Sequence, residues 1–230
     1  MDFSRVFRDA TPLLLKGFGI TVGISLLAIV IGLFIGLLTC FMVRSSNPIL
    51  KGIAKVYVWC IRGTPMIVQA FLVFFAFPQV IRLILPNFTI NAFNAGLIAL
   101  ALNAGAYMSE IFRGGIAAVD PGQIEAARSL GISKSRTMIK IVLPQALRVS
   151  IPSLVNQFII TIKDSSILSV IGLADIVNQA KVYVGATYDF FPTYIVVAAY
   201  YLALLSLLMV LTSYVEKKLN PAGKDRVSND

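Results

Sequence analysis

Gly17–Val43 has the sequence GFGITVGISLLAIVIGLFIGLLTCFMV, a stretch of 27 residues without a charged side chain. About 20 apolar residues in a helix cross the hydrocarbon core of a bilayer, so this stretch is long enough to span. The whole chain of 230 residues is 57% apolar and 13% charged, which leaves too little polar surface to cover a water-soluble globule. The apolar core of a cleaved signal peptide has about 7–15 residues, so we interpret the stretch as a membrane span.

Four further apolar stretches follow, and residues typical of turns separate them. The five predicted spans are 17–43, 56–77, 92–111, 151–173 and 192–215, and the second is interrupted near its start by Arg62-Gly63-Thr64-Pro65. The predicted fold class is therefore all-α, a polytopic membrane bundle of five transmembrane helices in one domain, 1–220. The polar tail, 221–230, is predicted to be disordered.

The basic residues predict how the chain is oriented, because five spans place the termini on opposite sides. With the N-terminus outside, the inside segments carry thirteen lysines and arginines and the outside segments five. Cytoplasmic loops carry this excess in multi-pass proteins, so we expect an external N-terminus and a cytoplasmic C-terminus. The basic residues lie at the ends of spans rather than in one patch. The net charge of +9 therefore does not indicate a nucleic-acid partner.

The composition excludes several kinds of chemistry. The chain has no histidine, which removes the usual general base, proton relay and zinc ligand. Its two cysteines, Cys40 and Cys60, predict neither a disulfide framework nor a metal site. It also lacks the G-x-x-x-x-G-K-[ST] phosphate loop. We therefore predict no catalytic residue, no metal ligand and no ATPase activity in this chain.

A cytoplasmic loop, 114–150, is too polar to span and too regular for a linker. Asp120-Pro121 is typical of a helix start, since Asp caps the helix and Pro fits its first position. Gly131 suits the left-handed residue that ends a helix. A helix of barely three turns is unstable alone in water, so it must be held by docking. A second helix is predicted from Ser133, with Pro144 breaking or kinking it. An interfacial loop resting on lipid headgroups is the alternative.

The loop resembles a known family in its spaced residues. Glu125-Ala126-Ala127, Gly131 and Ile141-Val142-Leu143-Pro144 match the EAA loop of ABC importer permeases of the type I fold. The flanking segments resemble the polar amino acid uptake branch of that family. These segments are Arg62-Gly63-Thr64-Pro65, the stretch from Tyr107 to Ile116, and Lys163-Asp164-Ser165-Ser166.

The resemblance implies that the loop helix is a coupling helix, which sits in a groove of a cytoplasmic ATPase. The implied coupling residues are Asp120, Pro121, Glu125, Ala126, Ala127, Arg128 and Gly131. The implied partners are an ABC ATPase dimer that binds ATP and Mg, an extracytoplasmic solute-binding protein, and a second permease subunit in the lipid bilayer of a prokaryotic cytoplasmic membrane. The second subunit would be either the same chain or a related one. No cofactor is expected on this chain itself.

Charged residues also lie in or near the spans, where an ionised group costs about 2.5–3.5 kcal/mol on insertion scales. They predict either a polar pocket for an amino acid or interhelical salt bridges and snorkelling. The candidate substrate-binding residues are Arg62, Thr64, Gln69, Tyr107, Glu110, Asn156, Lys163, Asp164 and Ser165. We expect a subunit that forms the translocation pathway for a polar amino acid by alternating access. An ion-gradient-driven secondary transporter is the alternative.

Overall fold

The computed structural model describes residues 3–219, with side chains up to residue 214, and its regular elements are helices. The predicted disordered tail, 221–230, lies outside the described residues. We number the helices α1 to α9. They are α1 Phe3–Asp9, α2 Thr11–Val43, α3 Pro48–Arg62, α4 Met66–Ile81, α5 Ala92–Ala117, α6 Pro121–Ser129, α7 Lys134–Ile171, α8 Ile176–Thr187 and α9 Phe190–Leu219.

Four of these helices, α2, α5, α7 and α9, are long and apolar enough to cross a membrane. A fifth crossing requires α3 and α4 together, and the helix axis bends by 110° between them. The described chain therefore has the predicted all-helical membrane fold, with four candidate spans and one bent pair as the fifth candidate. The predicted second span, 56–77, is not one straight helix, and its break falls at Gly63–Pro65, inside the predicted interruption.

Polar contacts hold the bend between α3 and α4. Gln69 lies in the first turns of α4, and its Nε2 donates to the carbonyl oxygens of Ile61 at 2.7 Å and Thr64 at 2.9 Å. Ile61 lies in the last turn of α3 and Thr64 just beyond it, where the helix no longer supplies N–H partners. Asn103 of α5 donates from its Nδ2 to Gln69 Oε1 at 3.0 Å. The bend is therefore anchored to the next span.

Glycines allow the central helices to pack closely. A Cβ atom on Gly36 of α2 would lie 2.7 Å from the Cβ of Met108 on α5. On the other side of α5, a Cβ on Gly115 would overlap the Ser150 hydroxyl and lie 2.7 Å from the carbonyl oxygen of Ala146, both on α7. Small residues at such crossings bring helix backbones together in lipid. They fix α5 as the central helix between α2 and α7.

The second loop helix continues through Pro144 as part of α7, so of the two predicted effects, a break or a kink, the break does not occur. A proline lacks an N–H, and its ring collides with the carbonyl four residues earlier. Here one wider turn, Met138–Val142, precedes it, and the Leu143 N–H bonds the carbonyl of Met138, five residues back. The turn Leu72–Ala76 precedes Pro78 of α4 in the same way. A turn of this width accommodates the proline without ending the helix.

Two short helices, α1 and α8, pack against the N-terminal end of α2. A Cβ on Gly17 would lie 2.7 Å from the Cα of Ile176, so glycine is required where α2 meets the start of α8. Thr21 Oγ1 accepts a hydrogen bond from the Ile176 N–H at 3.2 Å. Asp175 caps α8 by accepting from the Asn178 N–H at 3.0 Å. Asp175 is fully buried, and burial raises the pKa of its carboxyl to about 6.

Candidate functional site

Three charged side chains meet between the end of α3 and the middle of the bundle. Glu110 on α5 accepts two hydrogen bonds at its Oε2 and Oε1 from Arg113, one turn further along, at 2.8 and 3.1 Å. The Arg62 guanidinium lies 3.5 Å from Glu110 Oε2 and 5.4 Å from the centroid of the Tyr107 ring. The short bidentate pair satisfies Glu110 mainly through Arg113, and Arg62 is the more loosely held cation.

These residues line two adjoining cavities of about 580 and 550 Å³. The larger cavity lies between α3, α5 and α7, and the smaller lies between α2, α3 and α5. Both are lined by Arg62, Tyr107, Glu110 and Arg113. The larger adds Ile111, Pro152, Ser153, Asn156 and Gln157, and the smaller adds Val43, Lys55, Val58, Trp59 and Gly63. Two cations, Arg62 and Arg113, therefore lie beside the Glu110 carboxylate in both cavities, and Lys55 adds a third to the lining of the smaller one.

The structure brings four of the predicted substrate-binding residues together in the larger cavity. They are Arg62, Tyr107, Glu110 and Asn156. The intramembrane charges predicted either a polar pocket or interhelical salt bridges. Arg62 and Glu110 fit both hypotheses, because they form an interhelical ion pair and also line a polar cavity.

The other predicted residues lie elsewhere. Thr64 and Gln69 form the bend between α3 and α4, where the Gln69 side chain already has its partners. Ser165 is fully buried on α7 and donates its hydroxyl to the carbonyl of Ile162. Lys163 and Asp164 follow the cavity residues along α7 but do not line either cavity. A substrate-binding role for these five stays a prediction.

Sequence reasoning missed two polar residues of the larger cavity, Arg113 and Ser153. Arg113 had a usable signal, because it lies three residues after Glu110 on a predicted helix, a spacing that brings opposite charges together. Ser153 had none, since a serine in a span is as often a packing residue as a pocket residue. Gln157 is 4% exposed, and its Nε2 has no hydrogen-bond partner among the described residues.

The predicted loop helix is present as α6. Asp120 caps it by accepting from the Gly122 N–H at 2.8 Å, and Pro121 is its first residue. At its end Gly131 adopts a left-handed φ of 76°, and the Ile132 N–H bonds the carbonyl of Ala127 at 3.1 Å. This pair of features is the glycine-terminated end of a Schellman motif. The chain therefore reverses sharply between α6 and α7.

One face of α6 packs against the bundle, and the opposite face is exposed. Ile124 packs against an apolar cluster at the adjoining ends of α5 and α7, which includes Phe112, Ile116 and Val142. Ala127 is 3% exposed, whereas Glu125, Ala126 and Arg128 are exposed. Leu130 is 80% exposed. The open side of the helix is a compact surface of small, charged and apolar side chains.

Comparisons with known proteins agree with this architecture. Residues 28–221 match the family model of the binding-protein-dependent transport system inner membrane component. The chain is 38% identical over 206 residues to a putative glutamine transport system permease of Rickettsia prowazekii, covering 90% of this chain and 92% of the relative. It is 37% identical over 219 residues to the arginine transport system permease ArtQ of Bacillus subtilis, covering 95% and 97%.

Solved structures show the same fold. A crystal structure of an amino acid ABC transporter with histidines contains a chain that is 40% identical, with a TM-score of 0.88 and coverage of 95% of this chain and 99% of that one. The methionine transporter MetNI in an inward-facing conformation has a TM-score of 0.74 at 18% identity, covering 91% and 97%. At that identity the likeness concerns the fold alone.

The family match covers most of the chain and includes α6 together with the cavity residues. It favours the ABC importer over the ion-gradient carrier that the intramembrane charges left open. Systems of this family combine the membrane subunit with a binding protein and a separate ATPase subunit. The chain therefore belongs to the family of binding-protein-dependent transport system inner membrane components, as the multi-pass permease subunit of an ABC importer.

Proposed function

We propose that this chain forms the translocation pathway for a polar amino acid and that Arg62 binds the α-carboxylate of the substrate. The observation that carries the proposal is the position of Arg62 in the larger cavity, where its link to Glu110 is longer than that of Arg113. A substrate carboxylate offers the guanidinium a planar, bidentate partner. Asn156 and Ser153, on the facing wall, supply polar groups for the rest of the molecule.

The charges of the cavity favour a substrate with a neutral side chain. Glu110 is neutralised by Arg113 at 2.8 Å, so it has little left to offer a cationic side chain. With Glu110 and Arg113 neutralising each other, Arg62 leaves the larger cavity with one net positive charge, which would repel such a substrate in a site partly shielded from water. Curated relatives of similar identity are named for glutamine and for arginine transport. The charge balance favours the glutamine-like class.

The exposed surface of α6 is the proposed contact with the ATPase. Glu125 and Arg128 would pair with residues of a groove on one ATPase subunit, while Asp120, Pro121 and Gly131 fix the shape of the helix. The small side chain of Ala126 does not protrude from the exposed surface of α6. ATP and Mg would bind to the ATPase dimer, and the solute-binding protein would deliver substrate on the opposite side, next to the external N-terminus.

Uptake into proteoliposomes that contain the permease, its ATPase and its binding protein tests the proposal. We expect ATP-dependent uptake of labelled glutamine, weak competition by arginine, and at least a tenfold loss in Arg62→Gln. Lys51→Gln, an exposed lysine on the same helix, is the matched control and should transport normally. Wild-type uptake by Arg62→Gln, or arginine as the preferred substrate, would contradict the proposal.

A further inference from the structure

The smaller cavity has a greater excess of positive charge than the larger one. Its lining holds three cations, Lys55, Arg62 and Arg113, and one carboxylate, Glu110. Because Arg113 and Glu110 form the short ion pair at 2.8 Å, Lys55 and Arg62 leave two net positive charges. Lys55 is exposed and belongs to none of the ion pairs of the described residues. The cavity is therefore complementary in charge to an anion.

Arg113 has a donor group to offer such an anion. It bonds Glu110 through its Nε and Nη2, and its Nη1 donates to no acceptor among the described residues. A guanidinium matches the oxygens of a phosphate as well as those of a carboxylate. Lys55 adds an ammonium, which binds phosphate as a point charge. These two groups together can hold a phosphate inside the cavity.

The helix that contributes Lys55, α3, also exposes a stripe of large apolar side chains. Ile49, Ile53 and Val56 are 69%, 57% and 59% exposed, and their spacing of four and three residues places them along one side of the helix. Trp59, which lines the cavity, is 77% exposed. Tryptophan is enriched at the depth where lipid headgroups meet acyl chains. An anion that matches both the cavity and this apolar stripe carries acyl chains.

We propose that the smaller cavity binds an anionic phospholipid. Lys55 and the Nη1 of Arg113 hold its phosphate, and its acyl chains lie against Trp59 and the apolar stripe of α3. Arg62 adds positive charge and remains available for the substrate carboxylate in the larger cavity. With α6 facing the ATPase, as proposed above, the ends of α2 and α5 beside this cavity lie at the cytoplasmic leaflet. Basic pockets between transmembrane helices on that side recognise anionic headgroups.

The fluorescence of Trp59 tests the proposal directly, because Trp59 is the only tryptophan of the chain. The purified permease is placed in phosphatidylcholine nanodiscs that contain a small, fixed fraction of brominated phosphatidylglycerol or brominated phosphatidylcholine. Bromine on the acyl chains quenches a tryptophan only at short range. We expect the brominated phosphatidylglycerol to quench Trp59 several-fold more strongly. Equal quenching by the two lipids would overturn the proposal, and so would no quenching by either, which would mean that a protein surface covers the cavity.

Substitutions separate the cavity from the general positive charge of this surface. Lys55→Gln should abolish the preference for phosphatidylglycerol, and Lys55→Arg, which keeps the cation, should retain it. Lys51→Gln removes the same charge from an exposed position on α3 outside the cavity, so it is the matched control and should behave as the wild type. An equal loss of preference in Lys51→Gln and Lys55→Gln would overturn the proposal, because it would show attraction to the whole surface.

Inorganic phosphate distinguishes a lipid headgroup from a free anion. Added in large excess to the permease with brominated phosphatidylglycerol, it should leave the quenching of Trp59 unchanged. Recovery of the fluorescence would assign the cavity to free phosphate and overturn the lipid proposal. These samples contain no ATPase, binding protein or amino acid, so a negative result leaves the proposed transport function standing. Failure of ATP-driven uptake would likewise leave the lipid site standing.

Discussion

The side-chain amide of Asn103 donates to Gln69 Oε1 at 3.0 Å, although the two residues are 34 positions apart in the chain. Through this bond α5 orients the amide that donates to the carbonyl of Ile61, in the last turn of α3, and to that of Thr64, in the bend. The bend at Gly63–Pro65 is therefore part of the bundle core. It also places Arg62, the last residue of α3, at the cavity.

Replacing Gln69 should loosen the bend. Gln69→Leu removes the donor to Ile61 and Thr64 and leaves the Asn103 amide without its acceptor. A buried polar group left unsatisfied costs about 1–3 kcal/mol, so we expect a clearly lower midpoint of thermal unfolding and weaker uptake. Gln79→Leu, an exposed glutamine on the same helix, is the control. Equal unfolding midpoints for the two variants would show that the Gln69 contacts do not hold the bend.

Replacing each of two adjacent glycines on α5 by alanine should have different effects on stability. A Cβ on Gly115 collides with Ser150 and Ala146, whereas a Cβ on Gly114 meets nothing within 4 Å. Overpacking of this kind costs about 1–3 kcal/mol. Gly115→Ala should therefore unfold at a lower temperature than the wild type, and Gly114→Ala should be unchanged. If Gly115→Ala is as stable as Gly114→Ala, α5 and α7 are not in close contact at this crossing.

The left-handed residue at the end of α6 should be required for coupling. Gly131 has a φ of 76°, which costs an ordinary L-residue about 1–2 kcal/mol, and a β-branched side chain fits it least. We expect Gly131→Val to reduce ATP-driven uptake about tenfold while the ATPase still hydrolyses ATP without the binding protein. Gly131→Asn is the control, because asparagine tolerates this conformation. Normal uptake by Gly131→Val would show that the turn after α6 is not needed for coupling.

The buried carboxyl of Asp175 should make the free energy of unfolding depend on pH. Burial raises the pKa of this carboxyl to about 6 in the folded protein, against about 3.9 in an unfolded chain. The folded state therefore binds a proton at Asp175 more tightly than the unfolded state does. Proton binding at Asp175 therefore adds at most about 3 kcal/mol to the free energy of unfolding. This contribution is complete below pH 4 and is lost as the pH rises through 6.

Asp175→Asn removes the ionisable group but keeps a side chain able to cap α8. The variant should lose the fall in unfolding temperature between pH 4 and 7, and it should be more stable than the wild type at pH 7. Thermal unfolding in detergent across that pH range measures both effects. An unchanged slope in the variant would assign the pH dependence to another group.

The sequence predicted the all-helical membrane fold and the loop helix because their signals are local. An uncharged stretch such as 17–43 and the cap, proline and glycine of 120–131 each lie within a few turns of helix. The same local view did not decide between a break and a kink at Pro144, because no local signal indicates the wider turn Met138–Val142 that accommodates the proline. It also gave no sign of α8, which is too short to span and whose start is fixed by Gly17 and Thr21 of α2.

The candidate site was predicted only in part for a related reason. Arg62, Tyr107, Glu110 and Asn156 stood out as polar residues in apolar spans, and the structure does bring them together. Gln69 stood out equally, but its amide is used within the bend. Residue type indicates that a polar group needs a partner in the membrane, and only the packing of α3, α4 and α5 shows whether that partner is the protein or a cavity.

The central claim is that this chain provides the pathway while a separate ATPase provides the energy. Uptake of labelled glutamine should therefore be measured in two sets of proteoliposomes. One set holds the permease with its ATPase, its binding protein and ATP, and the other holds the permease alone under an imposed sodium or proton gradient. We expect uptake in the first set, abolished when ATP or the binding protein is omitted, and none above background in the second. Gradient-driven uptake by the permease alone would contradict the account.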